Sequence, residues 1–160
     1  MSVIETDICV VGAGSGGLSV AAGAAQMGAR VVLIEKGAMG GDCLNTGCVP
    51  SKSLLAAARA ARQVTEAARF GVRSGPVEID SAAVRAHVRA TIQAIAPHDS
   101  EERFRGLGVE VIRAPARFTG PREMEADGRR IRARRIVIAT GSSPAVPPVP
   151  GLDSVPYLTN

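Results

Sequence analysis

The chain is 160 residues long, 46% hydrophobic and 21% charged, which fits one globular domain and excludes wholesale disorder or a collagen-like repeat. No apolar stretch reaches the length of a membrane span, and no basic segment precedes an apolar run at the N-terminus, so neither a membrane partner nor a secretory signal is expected. The net charge is +4, from 19 basic and 15 acidic residues; its densest patch, Arg129, Arg130, Arg132, Arg134 and Arg135, has no aromatic neighbour on which a base could stack, so it reads as a solvated hairpin face or partner surface, with no nucleic acid expected.

In chain order, Ile4 to Val11 reads as a buried strand that ends in Gly12-Ala13-Gly14-Ser15-Gly16-Gly17. An Ala-rich helix is predicted from Leu18 to Met27, stopped by Gly28, and a second apolar strand from Val31 to Glu35. Together they form one β-α-β unit of about 30 residues. Gly37 to Pro50 is a Gly-rich loop, and Pro50 marks a helix start because proline is tolerated at the first helical position. The helix then runs from Ser51 to Phe70. Gly71 to Pro76 is a turn, and Asp80 caps a further helix that continues to about Arg105. After Gly106 and Gly108 the pattern changes to short strands at Val109 to Arg113, Ala116 to Thr119, Glu123 to Ala126 and Arg129 to Arg132. The last three make an antiparallel meander with an Asp127-Gly128 turn. Ile136 to Ala139 is a buried strand leading into Thr140-Gly141, and the Pro-rich end beyond it reads as the beginning of a linker. With 2% aromatic residues and no Trp, the core has to come from Ala, Val, Ile and Leu.

Two segments carry chemistry. Gly12-x-Gly14-x-x-Gly17 follows a strand and opens a helix, and an acidic residue, Glu35, ends the next strand about 20 residues on, as a dinucleotide fingerprint requires. Gly12 permits the tight turn, Gly14 lets the backbone approach a pyrophosphate, and Gly17 lets helix and strand pack closely. The helix N-terminus offers free N–H groups to phosphate. Glu35 can accept hydrogen bonds from ribose hydroxyls and disfavours a 2′-phosphate there. The second segment holds two of the three cysteines, Cys43 and Cys48, separated by four residues. An odd number excludes full pairing within the chain. Cys48 stands just before a helix start with Lys52 one turn later, and both features favour its thiolate. Zinc usually takes four ligands, and no second pair or nearby His supplies them, so no metal site is expected. Cys9 reads as a small buried hydrophobe, and His87 and His98 as surface residues.

The fingerprint, the run Gly40-Gly41-Asp42-Cys43-Leu44-Asn45-Thr46-Gly47-Cys48-Val49-Pro50-Ser51-Lys52, and the strand end Ala139-Thr140-Gly141 resemble the N-terminal flavin-binding domain of the pyridine nucleotide-disulfide oxidoreductases, with dihydrolipoamide dehydrogenase and mercuric reductase among its members. The resemblance covers almost the whole chain. It implies an α/β, Rossmann-like FAD-binding domain over residues 1–160, with a parallel sheet and a small antiparallel meander. By the same resemblance Gly12, Gly14 and Gly17 hold the FAD pyrophosphate, and Glu35 the adenosine ribose. Gly41 and Asp42 line the phosphate side of the flavin, and Ala116 meets the adenine through its backbone. Ser15, Lys36 and Ala139 join the cofactor-binding set, and Thr140 and Gly141 close over the dinucleotide. Cys48 is the thiol against the isoalloxazine ring, in charge-transfer contact, and Cys43 the interchange thiol that meets substrate, so that the two are a redox-active disulfide. Lys52 sits near the flavin N5 edge.

Asp42 departs from the Thr or Val common in the family and adds negative charge beside Cys43, which is expected to raise that thiol's pKa. A second Gly-x-Gly-x-x-Gly for NAD(P)H, the later Gly-Asp motif and the C-terminal dimerisation domain with its His-Glu pair are not in the sequence. The resemblance therefore implies an incomplete piece of a cytoplasmic, homodimeric oxidoreductase that acts on a disulfide or a metal ion, with the isolated piece inactive and weak in FAD binding. Two other readings stand beside it: a non-catalytic nucleotide-binding module whose cysteines are regulatory or bind metal, and an interaction domain using the arginine face.

Overall fold

The computed structural model describes residues 3–159. Its first strand, β1 (Val3–Val11), is followed by α1 (Ser15–Gln26) and β2 (Val31–Ile34). Helix α1 begins three residues before the expected Leu18, because the last two glycines of the turn are already helical. Gly17, Leu18, Ala21 and Ala24 form its buried face, the spacing of one helical stripe. Gly28, with a φ of 82°, stops it in the left-handed conformation that favours glycine. All four residues of β2 are buried, as in a strand covered on both faces.

The expected loop between Gly37 and Pro50 contains a one-turn helix, α2 (Gly41–Asn45), and the next helix, α3 (Cys48–Glu66), starts before the predicted Pro50. Pro50 instead sits within the first turn of α3, where its missing N–H leaves no intrahelical bond unmade. A 3₁₀ turn, Ala67–Phe70, ends this arm. Asp80 caps α4 (Ser81–Ile95) as expected, accepting from the N–H groups of Ala82 and Ala83 at 2.8 and 3.0 Å. The predicted continuous helix to Arg105 is broken. Pro97 cannot donate into a helix interior, so a 3₁₀ turn, Ala96–Asp99, intervenes before Ser100 caps α5 (Glu101–Gly106).

Strands β3 (Glu110–Ile112), β4 (Ala116–Gly120), β5 (Glu123–Ala126) and β6 (Arg129–Ile138) complete a six-stranded sheet of order β3-β2-β1-β6-β5-β4. The β3, β2, β1 and β6 pairings are parallel and the β6, β5 and β4 pairings antiparallel. The two strands predicted at Arg129–Arg132 and Ile136–Ala139 are one. Strand β6 pairs with β1 from Val3↔Arg130 to Val11↔Ile138, while its first residues also pair with β5. Arg130, Arg132 and Arg134 are the outward half of a period-2 alternation whose inward half includes Ile131 and Ala133. Two of them meet acids across the sheet: Arg132 lies 3.0 Å from Glu5 and 2.7 Å from Glu123, and Arg134 lies 3.5 Å from Asp7. The arginine patch is thus a cross-strand charge ladder. The Asp127-Gly128 turn takes positive φ at both residues, which matches the twist of a tight hairpin.

Two apolar clusters flank the sheet. Leu18, Ala21, Val10, Leu33 and Phe104 belong to one, and Cys9, Ile34, Met124 and Ile131 to the other. Cys9 is fully buried and its thiol is pushed up to about 11 by desolvation, which makes it an inert packing residue. Helices α3 and α4 pack chiefly on each other, with Ser53 the one buried residue of α3 and none buried in α4. Among the described residues no helix is long and apolar enough to cross a membrane.

The alternation along β6 gives a direct test. Ile131→Ala removes a fully buried side chain and is expected to cost about 2–5 kcal/mol in urea unfolding, whereas Arg130→Ala on the exposed face should stay within about 0.5 kcal/mol. Equal losses at the two positions would contradict the assignment of faces.

Candidate active site

The turn after β1 is shaped by contacts that leave no room for side chains. Gly12 has a φ of 105°, and a Cβ on it would stand 2.2 Å from the carbonyl oxygen of Ala139, at the end of β6. A Cβ on Gly17 would stand 1.8 Å from the carbonyl oxygen of Gly12. Gly12 N–H donates to Ile34 at 2.8 Å, and Ala139 N–H to Val11 at 2.8 Å. The ends of β2, β1 and β6 are therefore drawn together at the carboxyl edge of the sheet, at the point where the strand order reverses about β1. Ligands of open α/β sheets bind at such a point.

The same turn holds the cysteine segment. Gly14 and Gly40 form an isolated parallel bridge, Gly40 N–H donates to the Ala13 carbonyl at 2.9 Å, and a Cβ on Gly41 would lie 2.7 Å from the Cα of Gly14. Glu35 secures the other side. Its carboxylate accepts from Ala13 N–H at 2.6 Å and from Gly37 N–H at 2.5 Å. Each oxygen retains a lone pair, so the group can still accept from a ribose hydroxyl. Lys36, Ala116 and Thr140 line a cavity of about 210 Å³ beside Glu35.

Helix α2 presents Cys43, and α3 opens on Cys48. Both are free thiols, Cys43 half-buried and Cys48 exposed. The Cys43 pKa is raised, first by its hydrogen bond with the Cys48 thiol and then by burial, while the Lys52 ammonium pulls it the other way. The sequence pointed to the Asp42 charge as the source of such a rise; the leading causes are instead Cys48 and burial, and Asp42 is not among them. A groove of about 700 Å³ is lined by Gly12, Gly14, Ser15, Glu35, Gly41, Asp42, Cys43, Cys48, Ala139, Thr140 and Gly141. Of the residues singled out in the sequence, Gly17 lies beneath the groove as a packing residue. Lys52 is an exposed residue of α3 outside the groove lining. His87 and His98 are exposed, away from the groove.

Five further residues line the groove without a role assigned from the sequence: Gly16, Ala38, Asn45, Thr46 and Ser142. Asn45 ties the segment together by donating to the carbonyls of Met39 at 3.0 Å and Gly41 at 2.7 Å. Its position between the two cysteines was the available signal. Among the described residues no group of three His, Cys, Asp or Glu side chains comes together as a metal-holding set.

The clamp that Glu35 makes on the turn leads to a measurable outcome. Glu35→Ala removes a charged acceptor worth about 1.5–3 kcal/mol, so ADP affinity by calorimetry is expected to fall about tenfold or more. Unchanged affinity would remove Glu35 from the site.

The chain matches the family model described as pyridine nucleotide-disulphide oxidoreductase over residues 6–160. It is 31% identical to the mercuric reductase of Lysinibacillus sphaericus over 96% of its own length and 28% of that enzyme's. It is 38% identical to the dihydrolipoyl dehydrogenase of Thermus scotoductus over 86% of its length and 30% of that enzyme's. The chain thus spans under a third of the length of these relatives. In fold it is similar to the flavoprotein disulfide reductase RclA of Escherichia coli, solved as a Cu(II) complex, with a TM-score of 0.74 at 24% identity, covering 94% of this chain and 31% of that one. On the family match over nearly its whole length, the chain belongs to the pyridine nucleotide-disulphide oxidoreductases, a family of FAD-dependent enzymes.

Proposed function

We propose that this chain is the FAD-holding, disulfide-bearing part of an NAD(P)H-dependent disulfide reductase, related in activity to dihydrolipoyl dehydrogenase or mercuric reductase. One observation carries the reading: the glycine turn and the two thiols line the same groove. The residues fit a dinucleotide, since the spaces that Cβ atoms would fill at Gly12, Gly17 and Gly41 are taken up by backbone, which leaves the turn bare toward the groove. Gly12, Gly14 and the N–H groups opening α1 at Ser15 would hold the pyrophosphate. Glu35 would hold the ribose, with Lys36 and Ala116 at the adenine end. Gly41, Asp42, Ala139, Thr140 and Gly141 would flank the remainder, and Lys52 would lie one turn beyond Cys48. FAD, when bound, supplies two-electron transfer between a nicotinamide nucleotide and the cysteine pair.

The chain's own residues divide the sulfur chemistry. Cys48 is the more exposed thiol on the groove. Cys43 lines both the groove and a second cavity of about 360 Å³, which it shares with Asp99 and Arg103, and that second cavity would give a substrate its own approach to Cys43. As a thiolate, Cys43 attacks a substrate disulfide, forming a mixed disulfide and releasing one substrate thiolate, which takes up a proton. The Cys48 thiolate then attacks the Cys43 sulfur, releases the second substrate thiolate and closes the Cys43–Cys48 bond. Reopening the pair to two thiols takes two electrons, for which NAD(P)H would be the source, and two protons. A thiophilic metal ion is the alternative substrate, taken by the same pair. The reading extends to a homodimeric, cytoplasmic parent protein.

The Cys43–Cys48 bond is the step to test. After mild oxidation, mass spectrometry of alkylated peptides is expected to show Cys43 and Cys48 protected until a reductant is added. Full alkylation of both without reduction would overturn the reading.

A further inference from the structure

The turn that joins the two cysteines is held by the side chain of a residue that also lines the groove. Asp42 precedes Cys43, and Gly47 precedes Cys48. The Asp42 carbonyl accepts from Thr46 N–H at 2.9 Å and from Gly47 N–H at 2.6 Å, which closes the single turn of α2. The side chain adds a second tie: Thr46 Oγ1 donates to Asp42 Oδ1. The other carboxylate oxygen, Oδ2, fills the space beside residue 47, where a Cβ would stand 2.7 Å from it. One carboxylate thus binds Thr46 and lies beside Gly47, and Asp42 and Gly47 each adjoin one of the two cysteines in sequence. Both thiols line the same groove.

We propose that Asp42 is a positioning residue for the cysteine pair, its carboxylate clasping the Thr46-Gly47 turn so that the two sulfurs are held in reach of each other. This rests on the reading of Cys43 and Cys48 as a redox pair. Holding reacting groups together before reaction raises their effective concentration. A loosened turn must be reordered each time the disulfide forms, so loss of the clasp favours the dithiol. An Asn at this position keeps the Oδ1 acceptor for Thr46 and the side-chain shape, and separates the clasp from the charge.

The test is a thiol–disulfide equilibrium of this chain in mixtures of reduced and oxidised glutathione, in which one protein disulfide and two glutathione thiols give one protein dithiol and one glutathione disulfide. Mass spectrometry after acid quench and alkylation reads the position of that equilibrium, and far-UV circular dichroism establishes that each variant is folded. Asp42→Ala and Thr46→Val are each expected to shift it toward the dithiol by about fivefold, the worth of one hydrogen bond. The double variant is expected to shift no further than either single one, and Asp42→Asn to stay within about twofold of the parent chain. Asp42→Ala and Thr46→Val both within twofold of a disulfide-forming parent, shifts that multiply in the double variant, or an Asp42→Asn shift as large as that of Asp42→Ala would each overturn the clasp. A parent chain that forms no Cys43–Cys48 disulfide in any mixture would instead overturn the redox reading, and the clasp with it.

Discussion

The site depends on a backbone-to-backbone approach between the turn after β1 and the start of the cysteine segment. Ala13 is fastened at both ends of its own residue: its N–H goes to the Glu35 carboxylate and its carbonyl receives the N–H of Gly40. On either side, Gly14 and Gly41 come so close that a Cβ on Gly41 would lie 2.7 Å from the Gly14 Cα. This contact makes one groove of two motifs separated in sequence. Without it the glycine turn and the cysteine segment would have no fixed relation.

The rest of the fold supports that contact. Strand β6 runs beside β1 for its full length and delivers Ala139 against Gly12, so the turn is backed by a strand from the far end of the sequence. Individually, the exposed ion pairs along β6 contribute little, about 0–1 kcal/mol each. Their arrangement matters more. It lets an arginine-rich strand present Ile131 and Ala133 inward while its outward charges are matched by Glu5, Asp7 and Glu123.

Much of this was legible in the sequence because some residue types are obligatory where they stand. Gly12 and Gly17 occupy positions where any side chain collides with backbone, and Glu35 ends the neighbouring strand within reach of the turn. The strand–turn–helix–strand order could be read from hydrophobic runs and glycine stops. Short-range competition hid other elements. Helix α2 has one turn and forms by donors converging on the Asp42 carbonyl, a signal too local for periodicity. Pro97 and the Ser100 cap marked the break between α4 and α5, yet the apolar spacing on both sides suggested continuity. The run Arg129 to Arg135 concealed a single strand because the acids that meet Arg129, Arg132 and Arg134 come from other strands. The approach of Gly14 to Gly40 and Gly41 is a purely tertiary contact, with no local trace beyond the glycines themselves.

The central claim is that the groove brings the flavin end of a dinucleotide against the cysteine pair. It is tested most directly by measuring the rate of alkylation at Cys48 in the reduced chain, followed by mass spectrometry, with saturating FAD and with saturating ADP. Both nucleotides share the adenosine and pyrophosphate that the glycine turn and Glu35 are proposed to hold, but only FAD carries a ring that would reach Cys48. The account predicts that FAD slows alkylation of Cys48 and that ADP leaves the rate unchanged. Bound FAD that gives no protection, or equal protection by ADP, would contradict it.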